Sequence, residues 1–288
     1  MIITALFGGL GNQMFQYAAG RALALRHGVP LGLDCRRLYS TNPPRRYALH
    51  HFDIKAQKPE DAELPPVRKT GKLAWLAWRA GLINPPLLGQ QADGYDARIE
   101  RAGPATYLYG YWQSERFFAG KRDQIRRDFA FVTPASQSNL RLADEIMATP
   151  AVSLHVRRGD YVANKKTNAI HGLCSKGYYH RALTQIATAA GICPLVFVFS
   201  DDPQWVRDNL DLPFPKRVVA ENDSDHQYED LRLMTLCRHH VIANSSFSWW
   251  GAYLNPSVSK QVVAPRQWFA APDKDNPDIC PPGWLQLA

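Results

Sequence analysis

The chain has 288 residues, of which 45 % are hydrophobic and 21 % are charged, a composition typical of a globular protein with one or two domains. No apolar run approaches about 18 residues, which at the level of the sequence excludes a membrane-spanning helix. The formal net charge of +8 favours anionic partners, but no block of about five basic residues occurs, which argues against nucleic acid.

Cysteine usage indicates a reducing compartment. The five cysteines stand far apart, at positions 35, 174, 193, 237 and 280. An odd number without a C-x-x-C pair is not typical of a disulfide framework or a zinc site. The first residues, MIITALFGGLGNQ, lack the basic segment of a signal peptide and predict a β-strand instead. We therefore expect a cytoplasmic protein.

The chain opens with a predicted βαβ unit. IITALF (2–7) and VPLGLD (29–34) are short apolar runs that predict strands. Between them Asn12 is the predicted helix cap, apolar residues recur at helical spacing, and Gly28 is the predicted C-terminal stop. This succession implies two parallel strands.

Residues 40–105 are rich in proline and broken in pattern. Within them KTGKLAWLAWRAGL (69–82) predicts an amphipathic helix that carries Trp75 and Trp78. One hypothesis is an interfacial membrane anchor. The favoured hypothesis is a helix that packs on its own domain, because most amphipathic helices do so.

The middle of the chain contains a predicted domain boundary. TYLYGYWQS (106–114) predicts a strand and the following residues 115–129 predict a helix. Turn-forming residues then cluster over 132–139. We place an N-terminal domain at 1–140 and a C-terminal domain at 141–288, whose tail has no assigned element and could cross back.

The second half alternates strands and helices regularly. Predicted strands cover 151–158, 194–202, 216–220, 241–246 and 261–265, and predicted helices include 177–189 and 227–239. This spacing is typical of a parallel Rossmann-like sheet. The expected fold class is α/β with two Rossmann-like domains.

LHVRRGDYV (154–162) ends a predicted buried strand in polar residues. Within six residues stand His155, Arg157, Arg158 and Asp160. Ligands gather at the carboxyl ends of strands in open α/β sheets, and the planar guanidinium of arginine fits phosphate oxygens. The alternative is a structural arginine–aspartate pair, but the density of polar groups favours ligand binding.

A second strand end carries polar groups on the same predicted edge. FVFSDD (197–202) ends in Ser200, Asp201 and Asp202. Either aspartate could instead cap the helix that Pro203 opens. The two roles do not exclude each other.

A third strand end runs into a helix. In IANSSFSWWGAYL (242–254), Ser245 and Ser246 stand where backbone N–H groups at a helix N-terminus bind anions, although capping is again the alternative. Trp249 and Trp250 are predicted core residues. Three anion-binding strand ends in one half of the chain indicate a nucleotide diphosphate.

Metal binding has weak support. DSD (223–225) and DKD (273–275) match the D-x-D pattern of metal-dependent sugar transferases, but both lie in turn-like segments where aspartate is common. Arginines can supply the positive charge that a metal gives to a leaving diphosphate. We therefore expect no metal and no cofactor.

Three classes of function remain open from these residues. A dinucleotide oxidoreductase would explain Gly9, Gly11 and Asp34, but Met14 stands where helix–strand packing wants a small residue, and HVRRGD has no role. A sugar-binding module does not need three anion-binding strand ends. A glycosyltransferase with two Rossmann-like domains uses both halves of the chain and is favoured.

Four segments resemble the bacterial α-1,2-fucosyltransferases of glycosyltransferase family 11. They are GGLGNQMFQYAAGRALA, HVRRGDYV, FVFSDD and YEDLRLMTLCRHHVIANSSFSWWGAYLN. The resemblance runs in order from residue 3 to residue 268 and is weakest over 40–105. It implies a GT-B fold, in which two Rossmann-like domains face each other across a cleft. It also implies inverting, metal-independent transfer of L-fucose from GDP-β-L-fucose to the 2-hydroxyl of a terminal galactose. Another fucosyl linkage is the nearest alternative.

The resemblance also implies residues of a donor site. Arg157 would grip the β-phosphate, His155 would lie beside the guanine, and Asp230 would bind the guanine. Further substrate contacts are expected from Arg158, Ser200, Asp201, Asn244, Ser245, Ser246 and Phe247.

From the N-terminal domain, Asn12 with Gly11 and Gln13 would face the leaving phosphate. Arg157, helped by the next arginine, would neutralise charge on the departing GDP. Asp160 is the candidate general base for the acceptor hydroxyl. Its rival role is to orient an arginine.

The expected partners are GDP-fucose and a galactose-terminated oligosaccharide, which one hypothesis places on a lipid carrier. Nucleic acid is not expected. Peripheral contact with the inner membrane through the Trp75/Trp78 segment stays open as an alternative to a purely cytoplasmic location.

Overall fold

The computed structural model describes residues 1–40, 45–66 and 72–288, apart from the side chains of Asp160 and Ala163. The chain forms two compact units. Unit 1 comprises Met1–Val132 and Asn276–Ile279, and unit 2 comprises Thr133–Asp275 and Cys280–Ala288. Each unit is built on its own parallel sheet.

Unit 1 is a four-stranded sheet with helices. Its elements in chain order are β1 (Ile2–Ala5), α1 (Leu10–His27), β2 (Leu31–Asp34), α2 (Lys72–Arg79), β3 (Leu87–Gly89), β4 (Tyr107–Tyr109) and α3 (Arg122–Asp128). The strand order is β2-β1-β4-β3, and every pair is parallel. The chain first adds β2 on one side of β1, then places β3 at the far edge and fills the gap on the other side with β4, so the carboxyl ends of β1 and β4 form the topological switch point.

Helix α1 begins earlier than the sequence predicts. Gly9 is its N-cap, and the backbone N–H groups of Asn12 and Gln13 donate to the Gly9 carbonyl at 3.0 and 3.1 Å. The prediction that Asn12 caps this helix is therefore wrong, since Asn12 lies inside the first turn. Gly28 ends the helix in the left-handed region at φ 64°, as predicted.

The predicted strand over 106–114 is only three residues long. Trp112 has a φ of 56°, a left-handed conformation that interrupts extended backbone. The predicted helix over 115–129 is correspondingly split into short 3₁₀ turns, Glu115–Phe117 and Ala119–Lys121, followed by α3. The short edge strand β3 was missed because its sequence lies in the proline-rich region.

Helix α2 packs on its own unit, as the favoured interpretation predicted. The ring of Trp78 is buried and lies 5.3 Å from that of Tyr107 on β4. Positions 69–71 of the predicted segment lie outside the described residues. Within the described ranges, every helix is too short or too polar to cross a membrane.

Unit 2 is a six-stranded parallel sheet with helices. Its elements in chain order are α4 (Gln137–Met147), β5 (Ala151–Val156), α5 (Gly159–Ala163), α6 (Lys165–His171), α7 (Lys176–Ala190), β6 (Leu195–Ser200), α8 (Pro203–Asn209), β7 (Lys216–Val219), α9 (Gln227–Leu236), β8 (His239–Val241), α10 (Ser246–Leu254), β9 (Val262–Pro265) and β10 (Leu285–Leu287). The strand order is β10-β9-β8-β5-β6-β7, and every pair is parallel.

The unit boundary lies at 132/133, before the predicted boundary at 140. The reason is helix α4, because its Leu142 and Ile146 pack into the unit 2 core beside Leu233 and Met234 of α9. The segment that leads into α4 therefore belongs to unit 2.

Two predicted elements of unit 2 are shifted. Helix α9 ends at Leu236, because Cys237 is extended (φ −68°, ψ 148°), and β8 consequently begins at His239 instead of 241. Trp249 and Trp250 are fully buried, which confirms their predicted place in the core. The tail, for which the sequence predicted no element, adds β10 in parallel beside β9.

Candidate functional site

The topological switch point of unit 2 lies between β5 and β8. From β5 the chain adds β6 and β7 on one side, whereas β8, β9 and β10 extend the other side. In parallel α/β sheets, ligands bind where the strand order reverses, outside the carboxyl ends of the strands. HVRR begins in the last two residues of β5 and runs past its end, and NSSF follows β8, so the fold brings these two predicted segments to neighbouring strand ends.

An ion pair and a ring contact help to hold Arg157 at this edge. Its Nη1 lies 2.9 Å from Asp201 Oδ2, and its guanidinium carbon lies 5.4 Å from the ring centre of Tyr161. The side chain is 26 % exposed, so its charge is desolvated in part and still reachable from solvent. A guanidinium held in this way is pre-organised to meet a phosphate.

Arg158 is held by its backbone and by its side chain. Its backbone N–H donates to Asp201 Oδ1 at 2.8 Å, and its guanidinium lies 3.8 Å over the ring of Trp205. Its Nε also lies 3.4 Å from Asp202 Oδ2. Arg158 therefore contributes positive charge from a position set by stacking.

Asp201 organises both arginines, since each of its oxygens contacts one of them. The contact explains Gly159, because a Cβ at that position would stand 2.8 Å from Asp201 Oδ2. The geometry places Asp201 beneath the arginines, a supporting position that differs from the direct substrate contact expected from the sequence.

Ser200 and Asp202 have structural duties. Ser200 Oγ donates to the Val156 carbonyl at 2.8 Å and accepts from the Asp202 N–H at 3.0 Å, which ties β6 to β5. Asp202 accepts from the Trp205 N–H at 3.1 Å and so caps α8, with Pro203 at the first helical position. The capping interpretation is thus confirmed for Asp202.

His155 is a buried histidine beside Phe247. Only 4 % of it is exposed, and its ring centre lies 5.6 Å from that of Phe247. Burial lowers the pKa of His155 to about 4; nearby Arg157 lowers it further and Asp201 opposes the change. Among the described residues, its buried Nδ1 has no hydrogen-bond partner. A neutral ring with an unsatisfied buried nitrogen suits a hydrogen bond to a bound base.

The NSSF turn presents the N-terminus of α10. Ser245 is the N-cap and its Oγ accepts from the Phe247 N–H at 3.4 Å, while Ser246 opens the helix. The exposed end of the helix dipole and its backbone N–H groups favour an anion there. Capping by Ser245 and anion binding are compatible.

Asn244 braces the loops around this turn. It is buried, its Nδ2 donates to the carbonyls of His171 (2.7 Å) and Trp268 (3.2 Å), and its Oδ1 accepts from Cys174 Sγ at 3.6 Å. Tyr161 Oη in turn donates to the Asn244 carbonyl at 3.2 Å. The substrate contact expected of Asn244 therefore has no support in its geometry, because its amide is occupied by the protein.

Asp230 lies in the first turn of α9. Its Oδ1 accepts from Asn222 Nδ2 at 2.7 Å. Burial raises the pKa of Asp230 to about 7, the Asn222 hydrogen bond opposes the rise, and the carboxylates of Glu221 and Glu229 add to it. A carboxyl that titrates near neutrality can adapt its charge to a ligand.

Asp160 stands on α5, two residues after Arg158. Its side chain lies outside the described part of the chain, so the geometry bears on neither of its two expected roles. The backbone of α5 is anchored by the Val162 N–H, which donates to the Arg158 carbonyl at 2.7 Å.

After the glycine-rich turn that follows β1, the side chains of Asn12 and Gln13 point into different surroundings, and only Asn12 is partly exposed. Gln13 is 1 % exposed; its Nε2 donates to the Arg46 carbonyl at 2.8 Å and its Oε1 accepts from the Ala48 N–H at 3.0 Å. The Gln13 side chain is thus buried and braces a loop, and its expected contact with the substrate stays a prediction that this geometry does not support. Gly11 is buried in the first turn of α1.

Asn12 is partly exposed at the switch point of unit 1. Its Oδ1 accepts from Gln113 Nε2 at 2.7 Å, which joins the end of β1 to the segment after β4. At Gly8, whose φ is 80°, a Cβ would stand 2.5 Å from Asn12 Nδ2. The Asn12 amide oxygen is therefore held by Gln113, and the amide nitrogen lies close to Gly8, where any larger residue would collide with it.

Three supporting residues were missed by the sequence analysis: Gln113, Tyr161 and Trp205. Each contacts a predicted site residue through the tertiary fold. The signal for Gln113 is its place just after a strand, but only the strand order shows that β4 neighbours β1.

The D-x-D at 223–225 forms a turn, as one interpretation predicted. Asp223 Oδ1 accepts from the N–H groups of Asp225 (2.9 Å) and His226 (3.1 Å). In the described part of the chain, no three His, Cys, Asp or Glu side chains are gathered as a metal site would require. Metal independence remains a prediction.

Known proteins resemble this chain over its whole length. The sequence profile of glycosyl transferase family 11 matches residues 95–288. An α-1,2-colitosyltransferase of Escherichia coli is 31 % identical over 100 % of this chain and 99 % of its own length. A galactoside alpha-(1,2)-fucosyltransferase 2 of rabbit, Oryctolagus cuniculus, is 29 % identical over 86 % of this chain and 65 % of its own.

Solved structures show the same fold. A mutant of Arabidopsis thaliana FUT1, in complex with GDP, superposes with a TM-score of 0.54 at 10 % identity, over 93 % of this chain and 71 % of that one. The fold class is α/β of the GT-B type, with two Rossmann-like units. The chain is a glycosyltransferase that belongs to glycosyl transferase family 11.

Proposed function

We propose that the chain transfers L-fucose from GDP-fucose to the 2-hydroxyl of a terminal galactose of an oligosaccharide, with inversion and without a metal. Family membership and the α-1,2 linkage in the names of its relatives support this activity. The observation that carries the proposal is the Arg157–Asp201–Arg158 arrangement beside the N-terminus of α10, at the switch point of unit 2.

In the proposed donor site, one set of groups binds the diphosphate by charge and another recognises the guanine. Arg157 and the N–H groups at the start of α10 supply the positive potential for a diphosphate. His155 and Asp230 are assigned to the guanine. A neutral His155 ring can hydrogen-bond to the base, and the carboxylate of Asp230 can accept from the N–H groups of its Watson–Crick edge.

The reaction is a displacement at the anomeric carbon of fucose. The bond from that carbon to the β-phosphate oxygen breaks, and both electrons leave with GDP. The galactose 2-hydroxyl oxygen forms the new bond from the opposite face, and its proton passes to a base. We assign that base to Asp160, with the orientation of an arginine as its rival role. Arg157 stabilises the negative charge that develops on the leaving diphosphate.

The test is a transfer assay in EDTA with GDP-fucose and a panel of β1,3- and β1,4-linked galactosides, with the linkage of the product determined by NMR. We expect an α-1,2 product and a rate that added Mg²⁺ or Mn²⁺ does not change. Loss of activity in EDTA would reject metal independence, and a different linkage would reject the proposed product.

Arg157→Ala should reduce kcat by about a hundredfold or more, since removal of one donor to a developing anion has that effect in other enzymes. The fold should persist, because the residue is on the surface of the sheet edge; circular dichroism checks this. The matched control is Arg217→Ala, an exposed arginine on β7 whose partners are Glu145 and Glu221. Retained turnover in Arg157→Ala would show that Arg157 does not stabilise the leaving group.

Near-normal turnover in Asp160→Asn would likewise show that Asp160 is not the general base.

Colitose is the second candidate donor sugar, because a relative that spans the entire chain is named an α-1,2-colitosyltransferase. Colitose is L-fucose without the 3-hydroxyl, so both GDP-sugars present the same diphosphate and guanine. Competition between GDP-fucose and GDP-colitose for one galactoside separates them by kcat/KM. A preference for GDP-colitose would replace fucose in the proposal.

We also propose a cytoplasmic enzyme that contacts an anionic membrane through α2. Leu73 is 83 % exposed and Leu76 46 %, on the side of the helix opposite the buried Trp78. Unit 1 holds 19 Lys and Arg against 12 Asp and Glu, whereas unit 2 holds 15 against 14. The basic excess of the unit that carries α2 complements anionic lipid.

Vesicle co-sedimentation tests this contact. Leu73→Glu with Leu76→Glu should abolish binding to vesicles that contain phosphatidylglycerol. Leu140→Glu with Met147→Glu, at exposed positions of α4 in unit 2, should retain binding. Equal binding by both double variants, or none by the unmodified protein, would reject membrane contact.

A further inference from the structure

A cluster of aromatic rings lies at the carboxyl edge of the unit 1 sheet. Phe7 follows β1, Tyr109 ends β4 and Tyr111 comes two residues later. The Phe7 ring centre lies 5.3 Å from that of Tyr109 and 4.9 Å from that of Tyr111. Arg37, just after β2, places its guanidinium carbon 4.6 Å from the Tyr109 ring centre. Four residues from the ends of three neighbouring strands thus converge on one ring cluster.

This cluster is partly exposed, although burial would be favourable for its rings. Tyr111 is 45 % exposed, and Phe7 and Tyr109 are both partly accessible. Large apolar surfaces that remain open at the ligand-binding edge of a sheet mark a binding surface more often than a core. The rings suit a ligand with an apolar face.

The loop that carries Tyr111 is held in a fixed shape. Gln90 Oε1 accepts from the N–H of Tyr111 at 3.0 Å and from the N–H of Trp112 at 2.9 Å. Trp112 itself is fully buried with a φ of 56°, an unfavourable conformation that persists only when its surroundings impose it. Gly110 permits this packing, because a Cβ there would stand 2.5 Å from the Cβ of Gln90.

The same loop delivers a polar group next to the rings. Gln113 follows Trp112 and donates to Asn12, whose helix begins just after Phe7. Rings and side-chain amides therefore stand together at the ends of β1 and β4. This combination of an apolar platform and adjacent hydrogen-bonding groups suits a sugar ring, which has a C–H face and hydroxyls around its rim.

We infer that Phe7, Tyr109 and Tyr111 form the subsite for the terminal sugar of the acceptor, with Tyr111 as the ring on which that sugar stacks. Galactose fits because the C–H groups at its carbons 3, 4 and 5 make one apolar face. The inference rests on the proposed function and assigns the acceptor to residues that no sequence motif indicated.

The test compares Tyr111→Ala with Tyr111→Phe in the transfer assay. Tyr111→Ala should raise the KM for the galactoside by about tenfold, which corresponds to the loss of one stacking contact. Tyr111→Phe keeps the ring and should stay within about twofold of the unmodified protein, with the Kd for GDP unchanged in both. Leu82→Ala, at a 79 % exposed apolar position of unit 1, is the control and should change nothing.

Saturation-transfer NMR with methyl β-galactoside measures acceptor binding without turnover. The signal should appear with the unmodified protein and Tyr111→Phe, and disappear with Tyr111→Ala. An unchanged KM and NMR signal in Tyr111→Ala would overturn the subsite. If the unmodified protein transfers no sugar to any galactoside, the proposed function fails. If methyl β-galactoside still binds that protein and the binding depends on Tyr111, the subsite stands although the proposed function is wrong.

Discussion

Asp201 shows how one carboxylate can arrange a basic site. It contacts the Arg157 guanidinium with one oxygen and the Arg158 backbone with the other. Arg157 and Arg158 thus diverge from a common anchor, and a ligand meets a guanidinium that is already oriented. Pre-organised charge of this kind stabilises a developing anion without reorganisation during the reaction.

If Asp230 binds the guanine as proposed, GDP binding should depend on pH. Because its pKa is raised to about 7 by burial, most of the free protein carries a protonated Asp230 at pH 6. The guanine N–H groups need an ionised acceptor, so binding at pH 6 must first remove that proton. We expect the Kd for GDP to be about tenfold weaker at pH 6 than at pH 8. His155, with a pKa of about 4, stays neutral throughout and adds no slope.

Isothermal titration calorimetry of Asp230→Asn checks this assignment. The variant experiences the same titration of the GDP phosphates, so any difference in slope belongs to Asp230. We expect the variant to lose most of the pH dependence. Parallel slopes for the variant and the unmodified protein would show that Asp230 does not bind the guanine.

Gln113 donates a hydrogen bond to Asn12, and we expect it to act as a positioning residue through that contact. Gln113→Ala should lower kcat by about tenfold through a misplaced Asn12, while the Kd for GDP stays within about twofold. The two residues should be coupled, so that the double variant with Asn12→Ala is no slower than Asn12→Ala alone. Steady-state kinetics of the four proteins measures this coupling. If the two substitutions lower kcat additively in the double variant, Gln113 does not act through Asn12.

At the scale of elements, α1 lies unusually close to its strands at Gly20. A Cβ at this position would stand 2.1 Å from Thr4 Oγ1 on β1 and 2.9 Å from Leu31 Cδ1 on β2. The glycine that allows close helix–strand packing is therefore Gly20, and this explains how Met14 can occupy the position that a dinucleotide-binding loop gives to a small residue.

Gly20→Ala should destabilise the protein by about 2 kcal/mol. An alanine normally stabilises a helix by up to about 1 kcal/mol, but the overlap with Thr4 and Leu31 forces the helix away from the sheet. Thermal unfolding measures the change as a fall of several degrees in Tm. Gly120→Ala is the matched control, since nothing lies within 4 Å of a Cβ there. Equal Tm values for the two variants would show that α1 can move away from β1 and β2 without a loss of stability.

At the scale of the whole molecule, the chain returns a short segment of its tail to unit 1. Asn276 Nδ2 donates to the Gln113 carbonyl at 2.8 Å. Asp278 accepts from Arg116 Nη1 at 2.6 Å and from the Tyr95 N–H at 2.9 Å. Residues 276–279 thus support the loop that holds Asn12.

Asn276→Ala should lower stability by about 1–3 kcal/mol, because it removes a buried amide and leaves a carbonyl without its donor. It should also lower kcat, since the Gln113 backbone loses its support. Urea unfolding and transfer assays on the same preparations measure both effects. The control is Asp275→Ala, an exposed neighbour for which we expect a change within about 0.5 kcal/mol. If neither the free energy of unfolding nor kcat changes in Asn276→Ala, this segment of the tail does not support the loop that carries Gln113.

The sequence by itself determined the local elements and the chemistry at their ends. The first βαβ unit, the alternation of the second half, and the HVRRGD and NSSF strand ends follow from periodicity and from residue types within one element. Long specific segments also identified the family. The predicted ends of several helices and strands were wrong, because a single backbone conformation can end an element. Trp112 interrupts the predicted strand over 106–114, and Cys237 ends α9 early.

Only the tertiary structure decided which strand ends meet. Gln113 contacts Asn12 across 101 residues, and NSSF lies beside HVRR because β8 pairs with β5. The roles of adjacent residues were decided in the same way, since Gln13 turns into a buried loop while Asn12 stays at the edge. Local patterns determine the elements, whereas sheet order and the packing of distant segments determine which side chains share a site.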